Sequence, residues 1–346
     1  MNRFSMKYVP DIKPLQYVRI IFLSLLLGCI VPALSIAATK PFSELEVIVA
    51  RSEAQIDFAQ AKIAIDLLID PSHNSAGTLL QINAWAERVK ARLAKNTRNR
   101  DKLNILISTL YKPGPWNDYR PFQYDLEDPL GKSQRTKLLA TYLTTRKGNC
   151  VSMPIFFVIL GQKLKLPVTL ATAPQHAIVK YLDDSGQWLN VEATSGGFKY
   201  DSSYERELNI SAKAIENGIY LRPLNRKESI AMMMSTLMEH YGRTNQQERR
   251  IAVADLALKI NSNDVVAMAH KGAANYLLLQ DRFMRPYPDV NKIPPRSRVE
   301  FKKLSQENLL WYAKAEALGW MPPTPAQDSK YLDTIRREKA KHHGDE

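Results

Sequence analysis

Cysteine is scarce in this sequence: Cys29 and Cys150 are the two cysteines in 346 residues. So few thiols exclude the disulfide framework that stabilises many small secreted domains. Cys29 lies in an apolar N-terminal segment, and its removal with that segment would leave Cys150 without an intramolecular partner. A single thiol in an exported protein is a candidate reactive group, because oxidising compartments either pair cysteines or damage exposed ones.

Metal-binding and nucleotide-binding motifs are also lacking. No run of His, Cys, Asp or Glu has metal-ligand spacing, and no glycine-rich loop has the spacing of a phosphate or dinucleotide site. We therefore expect chemistry without a cofactor. The formal net charge is +13, but Lys and Arg are mixed with acids and lack clustered stacking aromatics, which predicts no nucleic-acid partner. Residues 322–346, with the run RREKAKHH, are predicted to form a basic C-terminal tail.

Residues 1–37 have the pattern of a secretory signal: a basic segment that ends at Arg19, an apolar run, and small residues before Ala38. We predict cleavage before Ala38 and an exported, periplasmic protein. One alternative is an uncleaved membrane anchor, since the apolar run is about as long as a bilayer span requires. Another is lipidation of Cys29 in the motif LLGC, although apolar residues follow Cys29 where a polar tether would be expected.

Helical periodicity dominates the chain between the N-terminal segment and Cys150. Apolar residues predict one helix over residues 42–69, and the segments TLLQINAWAERVKARLAKN and DKLNILISTLYK predict two more. Residues 112–132 contain four prolines and two glycines, which predict a structured aromatic loop. The segment SQRTKLLATYLTTR predicts a helix that Gly148-Asn149 ends, and Cys150 is predicted to open the next helix.

The periodicity changes beyond this helix. The runs PVTLATA, HAIVKYL and QWLNVEAT predict antiparallel strands, with DDSGQ as a hairpin turn, and SGGFKYDSSYERE is predicted to be a loop. Residues 226–321 are predicted to be helical. Within them, ALKINSNDVVAMAHKGAA is similar to a tetratricopeptide repeat, with small residues where two helices would pack closely. We expect this region to bind a protein partner.

Three residues form a candidate nucleophilic site. Cys150 is the candidate nucleophile, because the first-turn N–H groups of a helix stabilise a thiolate. His176 is the candidate base, since it opens a predicted strand whereas the other histidines fall in a loop, in the tail or in C-terminal helices. Glu192 lies among apolar neighbours on the next strand, where a buried carboxylate requires a partner, and is the candidate acid that orients the base.

Each of these residues also has a structural interpretation. Cys150 alone could be a buried thiol, His176 a hydrogen-bonded strand residue, and Glu192 the partner of a buried Lys or Arg. For an oxyanion, the candidate donors are the Cys150 N–H and a side-chain amide of Asn149 or Gln175. The order and spacing of the three residues, rather than any one of them, favours a catalytic site.

The order Cys, His, acid, with the cysteine before a helix and the other two on consecutive strands, resembles the transglutaminase-like superfamily. HAIVKYLDDSGQWLNVEAT is similar to its histidine strand, turn and Trp-containing strand. A closer resemblance is to a bacterial subgroup with a helical N-terminal part and a tetratricopeptide-like tail. It rests on AIDLLIDPSHN, INAWAERVKARL, LNILISTLY, TTRKGNC, LKLPV, PQHAIVKY and VEATSGG, which occur in that order.

The resemblance implies an α+β fold: a papain-like core over residues 42–210 with a small antiparallel sheet, and an all-α helical-repeat tail over residues 226–321. It also implies Cys150 as nucleophile, His176 as base and Glu192 as orienting acid. Glu192 departs from the superfamily, which usually has Asp there.

The function implied is acyl chemistry on protein or peptide amides through a thioester. Water as acceptor would make the protein a peptidase or amidase, and an amine would make it an acyl transferase. The competing hypothesis is a non-catalytic scaffold that binds a peptide or an envelope component with the same fold and uses its helical repeats for protein interaction.

Overall fold

The computed structural model describes residues 42–326, 329 and 332–333. The predicted signal, anchor or lipidation segment of residues 1–37 lies outside the described residues, as does most of the predicted basic tail. Within the part of the chain that is described, no helix combines the length and the apolar character needed to cross a lipid bilayer.

Helices form most of the described chain before Cys150. They are α1 Ser43–Ala50, α2 Phe58–Ile69, α3 Ser75–Lys90, α4 Asn99–Tyr111 and α5 Leu139–Thr145. The prediction of one helix over residues 42–69 is wrong, because an irregular stretch separates α1 from α2. Asp57 explains the second start: its carboxylate accepts a hydrogen bond from the Gln60 N–H at 3.0 Å and so caps α2.

The proline-rich segment between α4 and α5 holds a short strand, β1 Gln123–Tyr124. β1 pairs in parallel with β2, Lys147–Gly148, which directly precedes Asn149 and Cys150. Gly148 lies against a buried ring, since a Cβ added to it would come within 2.5 Å of Tyr142 Cε2. The strand pairing and this close contact fix the chain on the N-terminal side of Cys150.

The main sheet follows helix α6, Ser152–Lys163, whose residues are buried from Ser152 to Gly161. Its four antiparallel strands lie in the order in which they occur in the chain. They are β3 Val168–Ala173, β4 His176–Leu182, β5 Trp188–Glu192 and β6 Gly197–Lys199. The three predicted strands are confirmed, whereas β6 falls in a segment that was predicted to be a loop. Three residues that begin with glycine carry too short a pattern to indicate a strand.

Both faces of the sheet are covered. On one face, Leu170, Val179 and Val191 belong to the core that contains α6. The second core includes, from the sheet and the C-terminal helices, Ala171, Ala173, Ile178, Val265, Met268 and Ala315. Side chains alternate between the faces of a strand, so His176 lies on the same side of β4 as Ile178. The candidate base therefore shares its face of the sheet with the C-terminal helices.

The chain after the sheet is helical. Its helices are α7 Asp201–Glu207, α8 Ala212–Glu216, α9 Arg226–Met233, α10 Ser235–Arg243, α11 Gln247–Ile260, α12 Val265–Leu279 and α13 Arg298–Ala317. The predicted break between α11 and α12 is confirmed, and the Asp264 carboxylate caps α12 by accepting from the Ala267 N–H at 2.9 Å. The predicted α+β class is confirmed, while the assignment of the tail to tetratricopeptide repeats stays a prediction.

Candidate functional site

Cys150 lies in a tight turn two residues before α6, and Asn149 builds that turn. The side-chain oxygen Oδ1 of Asn149 accepts hydrogen bonds from the Val151 N–H at 2.9 Å and the Ser152 N–H at 3.1 Å. Its amide donates to Thr136 Oγ1 at 3.1 Å. The expectation that the first N–H groups of α6 point at the sulfur is wrong for these two, because Asn149 already binds them. One of the two N–H groups of its amide is likewise bound, to Thr136.

Replacing Asn149 by Ala should cost about 1–2 kcal/mol of the free energy of unfolding, since a helix loses its cap. Asn74→Ala is a matched control, because Asn74 caps α3 through the Gly77 N–H at 2.9 Å. Urea unfolding should show both losses. Only Asn149→Ala should also change the ultraviolet titration of the Cys150 thiol, and an equal change in both variants would contradict the positioning role of Asn149.

His176 connects the other two candidate residues. Its Nε2 lies 3.2 Å from Glu192 Oε2, and the Cys150 side chain lies close enough to the ring to raise the pKa of His176. His176 opens β4 directly after a two-residue turn, and Glu192 ends β5 one place beyond the Val179–Val191 pair, which sets it diagonally across from His176. The structure thus brings all three predicted site residues together.

The pKa values of His176 and Glu192 move in opposite directions. Burial alone would lower the pKa of His176, but the Cys150 and Glu192 side chains outweigh burial and raise it to about 10. Burial alone would raise the pKa of Glu192, but the His176 ring and two hydroxyl donors outweigh burial and lower it to about 2. Both shifts favour an imidazolium beside a carboxylate at neutral pH.

The two hydroxyl donors on Glu192 are residues that the sequence did not indicate. Tyr204 Oη donates to Glu192 Oε2 at 2.6 Å, and Thr194 Oγ1 donates to Oε1 at 2.6 Å. The Thr194 N–H adds a third bond to Oε1 at 3.2 Å. These three hydrogen bonds hold the Glu192 carboxylate in place, although the glutamate side chain is longer than the usual aspartate. Thr194 could have been found in the triplet Glu-Ala-Thr, whereas Tyr204 lies in a segment that was predicted to be a loop.

Tyr111 is a half-buried residue beside the site. Its ring is stacked on Phe157 at a centroid distance of 6.4 Å and lies against Gly196, where an added Cβ would come within 2.8 Å of Tyr111 Cδ2. Gly196 has a φ of +73°, a conformation that favours glycine. Burial, with the charge of Glu192 added to it, raises the pKa of Tyr111, so its hydroxyl stays neutral.

The turn before His176 presents a backbone carbonyl to the sulfur. The Cys150 thiol lies 3.6 Å from the Gln175 carbonyl oxygen, which can accept its proton in a hydrogen bond. Gln175 has a φ of +56°, a left-handed conformation that costs energy for a residue other than glycine. Among the described residues, the Cys150 N–H has no acceptor, so it is the backbone donor left for an oxyanion. The Gln175 side chain is exposed beside it.

A cysteine precedes a buried helix, a histidine lies near it, and a carboxylate accepts from that histidine. The comparison with protein families agrees with this arrangement. Residues 77–235 match the transglutaminase-like superfamily. The matched segment contains all three predicted site residues together with Tyr111, Thr194 and Tyr204. Helices α1 and α2 lie outside it, as do α10 after its first residue and the helices that follow.

Two curated relatives are similar to this chain. A UPF0162 protein of Buchnera aphidicola subsp. Acyrthosiphon pisum (strain APS) is 24% identical over 241 residues, which cover 64% of this chain and 82% of the relative. A UPF0162 protein of Buchnera aphidicola subsp. Schizaphis graminum (strain Sg) is 26% identical over 181 residues, which cover 49% of this chain and 61% of the relative. No solved structure matches this chain.

Proposed function

We propose that the protein breaks an amide bond by forming a thioester on Cys150. The observation that carries this proposal is the position of His176, whose Nε2 lies 3.2 Å from Glu192 Oε2 while the Cys150 side chain lies close enough to the ring to raise the pKa of His176. A histidine that contacts a thiol on one side and a carboxylate on the other can hold the thiol proton as an imidazolium and return it to a leaving group.

The reaction consists of two acyl transfers. The Cys150 thiolate attacks the carbonyl carbon of the amide, and the imidazolium of His176 protonates the departing amine as the carbon–nitrogen bond breaks. A thioester remains on Cys150. In the second step water or an amine, deprotonated by His176, attacks the thioester and releases the thiolate. Glu192 stabilises the imidazolium in both steps, and the Cys150 N–H is positioned to donate to the oxyanion.

The acceptor can be read from the products of a single experiment. The protein is incubated with a pool of short peptides, some with glutamine and some without it. The solvent is heavy-oxygen water with methylamine added, and the products are analysed by mass spectrometry. We expect a new carboxylate with heavy oxygen from a hydrolase, or a methylamide from a transferase. Intact-mass analysis should also show a hydroxylamine-sensitive acyl group on Cys150.

Two variants serve as controls for this experiment. Cys150→Ala should lose both the products and the adduct, because it lacks the attacking atom. His240→Ala, which changes a histidine of α10, should retain them. Unchanged peptides in every sample, together with an ordinary Cys150 thiol, would contradict the proposal and favour the scaffold hypothesis.

We also propose that the protein is exported and that its C-terminal helices bind a protein partner. Support comes from the signal-like pattern of residues 1–37 and from the repeat-like sequence of α11 and α12. Cell fractionation and the mass of the mature N-terminus test the first point, with a start near Ala38 expected. Recovery of the full-length chain in the membrane fraction would contradict cleavage.

A further inference from the structure

A second polar cluster lies on the face of the sheet that carries His176. Lys180, two positions after Ile178 on β4, is buried with 2% of its side chain exposed, and its Nζ donates to Asp201 Oδ1 at 2.7 Å. Asn190 on β5 donates to the same oxygen at 2.7 Å and to the Lys199 carbonyl oxygen at 2.9 Å. The cluster therefore joins β4, β5 and the start of α7.

A buried lysine in mid-strand requires a reason. Removing an ammonium group from water costs several kcal/mol, and an apolar side chain of similar size usually serves stability as well as an ion pair does. The Asp201 side chain is 46% exposed, so it would remain hydrated without its lysine. Stability alone therefore does not explain why a lysine occupies position 180. Its contact with the first residue of α7 does, because that contact fixes where the helix lies.

Helix α7 has seven residues, which is too few for an isolated helix to be stable in water. Its place on the sheet depends on its contacts. Asp201, its first residue, is held by Lys180 and Asn190, and Tyr204, one turn later, donates to Glu192 Oε2 at 2.6 Å. That oxygen is the one that faces His176 Nε2. Asp201, which binds Lys180, and Tyr204, which donates to Glu192, thus lie on the same first turn of α7.

We propose that Lys180 is a positioning residue for the candidate site. Through Asp201 it fixes the first turn of α7, the turn delivers the Tyr204 hydroxyl to Glu192, and the restrained carboxylate keeps His176 in register with Cys150. This inference rests on the proposed function, since it assigns a role within the same site. Lys180 itself touches none of the three site residues, so its effect on the thiol must travel through Tyr204.

The test uses Lys180→Met in the full chain, with Cys29→Ser present throughout so that Cys150 alone reports. Two signals are followed against pH: the thiolate absorbance near 240 nm and the nuclear magnetic resonance shift of the His176 ring. At the wild-type midpoint we expect the ratio of thiolate to thiol to fall about fivefold, the size of a weakened hydrogen bond to a charged group. The His176 titration should move toward lower pH.

Lys271→Met is the matched control. Lys271 Nζ bonds Asp255 Oδ1 at 2.6 Å, with 14% of the lysine and 51% of the aspartate side chain exposed, and it joins α11 to α12. Its loss should affect stability about as much as the loss of Lys180 and should leave both titrations unchanged. Equal shifts in the two variants would assign the effect to general destabilisation and overturn the proposal.

A double-mutant cycle with Tyr204→Phe tests the route. If Lys180 acts through Tyr204, Lys180→Met adds no further shift once the hydroxyl is gone. Additive shifts would overturn the route through α7. Absence of thiolate below pH 8 in the wild type would contradict the proposed function instead. In that case the titration of the His176 ring still tests the positioning role of Lys180. An equal His176 midpoint in wild type and Lys180→Met would overturn that role.

Discussion

Replacing His176 by Ala should remove the Cys150 thiolate at pH 6. In the wild type the imidazolium stays protonated well above neutral pH, because its pKa is raised to about 10, and its charge favours an ionised sulfur beside it. Without the ring no positive charge lies beside the sulfur to stabilise its ionised form. We therefore expect the thiolate signal at pH 6 to fall about tenfold to 100-fold, the size of one hydrogen bond to a charged group.

The thiolate is measured as the absorbance near 240 nm in the Cys29→Ser chain, with the same chain carrying Cys150→Ala as the blank. His240→Ala provides the control, since His240 lies on α10 and has no contact with the sulfur. A wild-type protein that shows no thiolate until pH 8, or a His176→Ala variant that keeps it at pH 6, would refute the role given to His176.

The second large effect is expected for Glu192→Gln, in the free energy of unfolding. The pKa of Glu192 is about 2 against an ordinary 4.5, so its charge contributes about 3 kcal/mol, which is present above pH 4.5 and lost as the pH falls through 2. Cys150 and Glu192 together raise the pKa of His176 to about 10 from 6.5, so the part of the stabilisation that comes from the Glu192 contact is present below pH 6.5 and lost as the pH rises through 10. The stability difference between wild type and variant should therefore be largest between about pH 4.5 and 6.5.

Urea unfolding at pH 3, 6 and 9 measures this difference. Glu228→Gln is the control, because Glu228 pairs with Arg222 at 2.6 Å. Burial alone would raise the pKa of Glu228, but the contact with Arg222 outweighs burial and lowers it. Arginine does not titrate below pH 12. The difference in free energy of unfolding between wild type and Glu228→Gln should therefore decrease at pH 3 but not at pH 9. A Glu192 difference that stays constant from pH 6 to pH 9 would contradict an ionic contact with His176.

Much of the fold could be predicted because its elements have clear periodicity. The strands β3, β4 and β5 and the buried helix α6 have strong apolar patterns, and their order places Cys150 before α6 and His176 and Glu192 on neighbouring strands. The division of residues 42–69 into two helices was missed, since the apolar spacing continues through a cap at Asp57. A local hydrogen bond at Asp57, not the apolar pattern, sets the start of the second helix.

The details of the site were harder to predict. Asn149 was considered for an oxyanion, but its position before α6 makes it a helix cap that binds the first N–H groups of the helix. Tyr204 was missed because α7 is short and polar, and tertiary contacts rather than intrinsic preference hold it in a helix. A one-dimensional pattern does not show which side chains a buried carboxylate will meet.

The C-terminal helices cover part of the face of the sheet on which His176 lies, through the core that Ile178 shares with Val265 and Met268. A chain that ended at residue 210 would hold every residue of the candidate site, but it would leave this apolar surface in water. Loss of the tail by proteolysis or by gene truncation should therefore abolish the folded site as well as any partner binding. During evolution the tail could change its outer surface freely, but it could not be discarded or exchanged as an independent module.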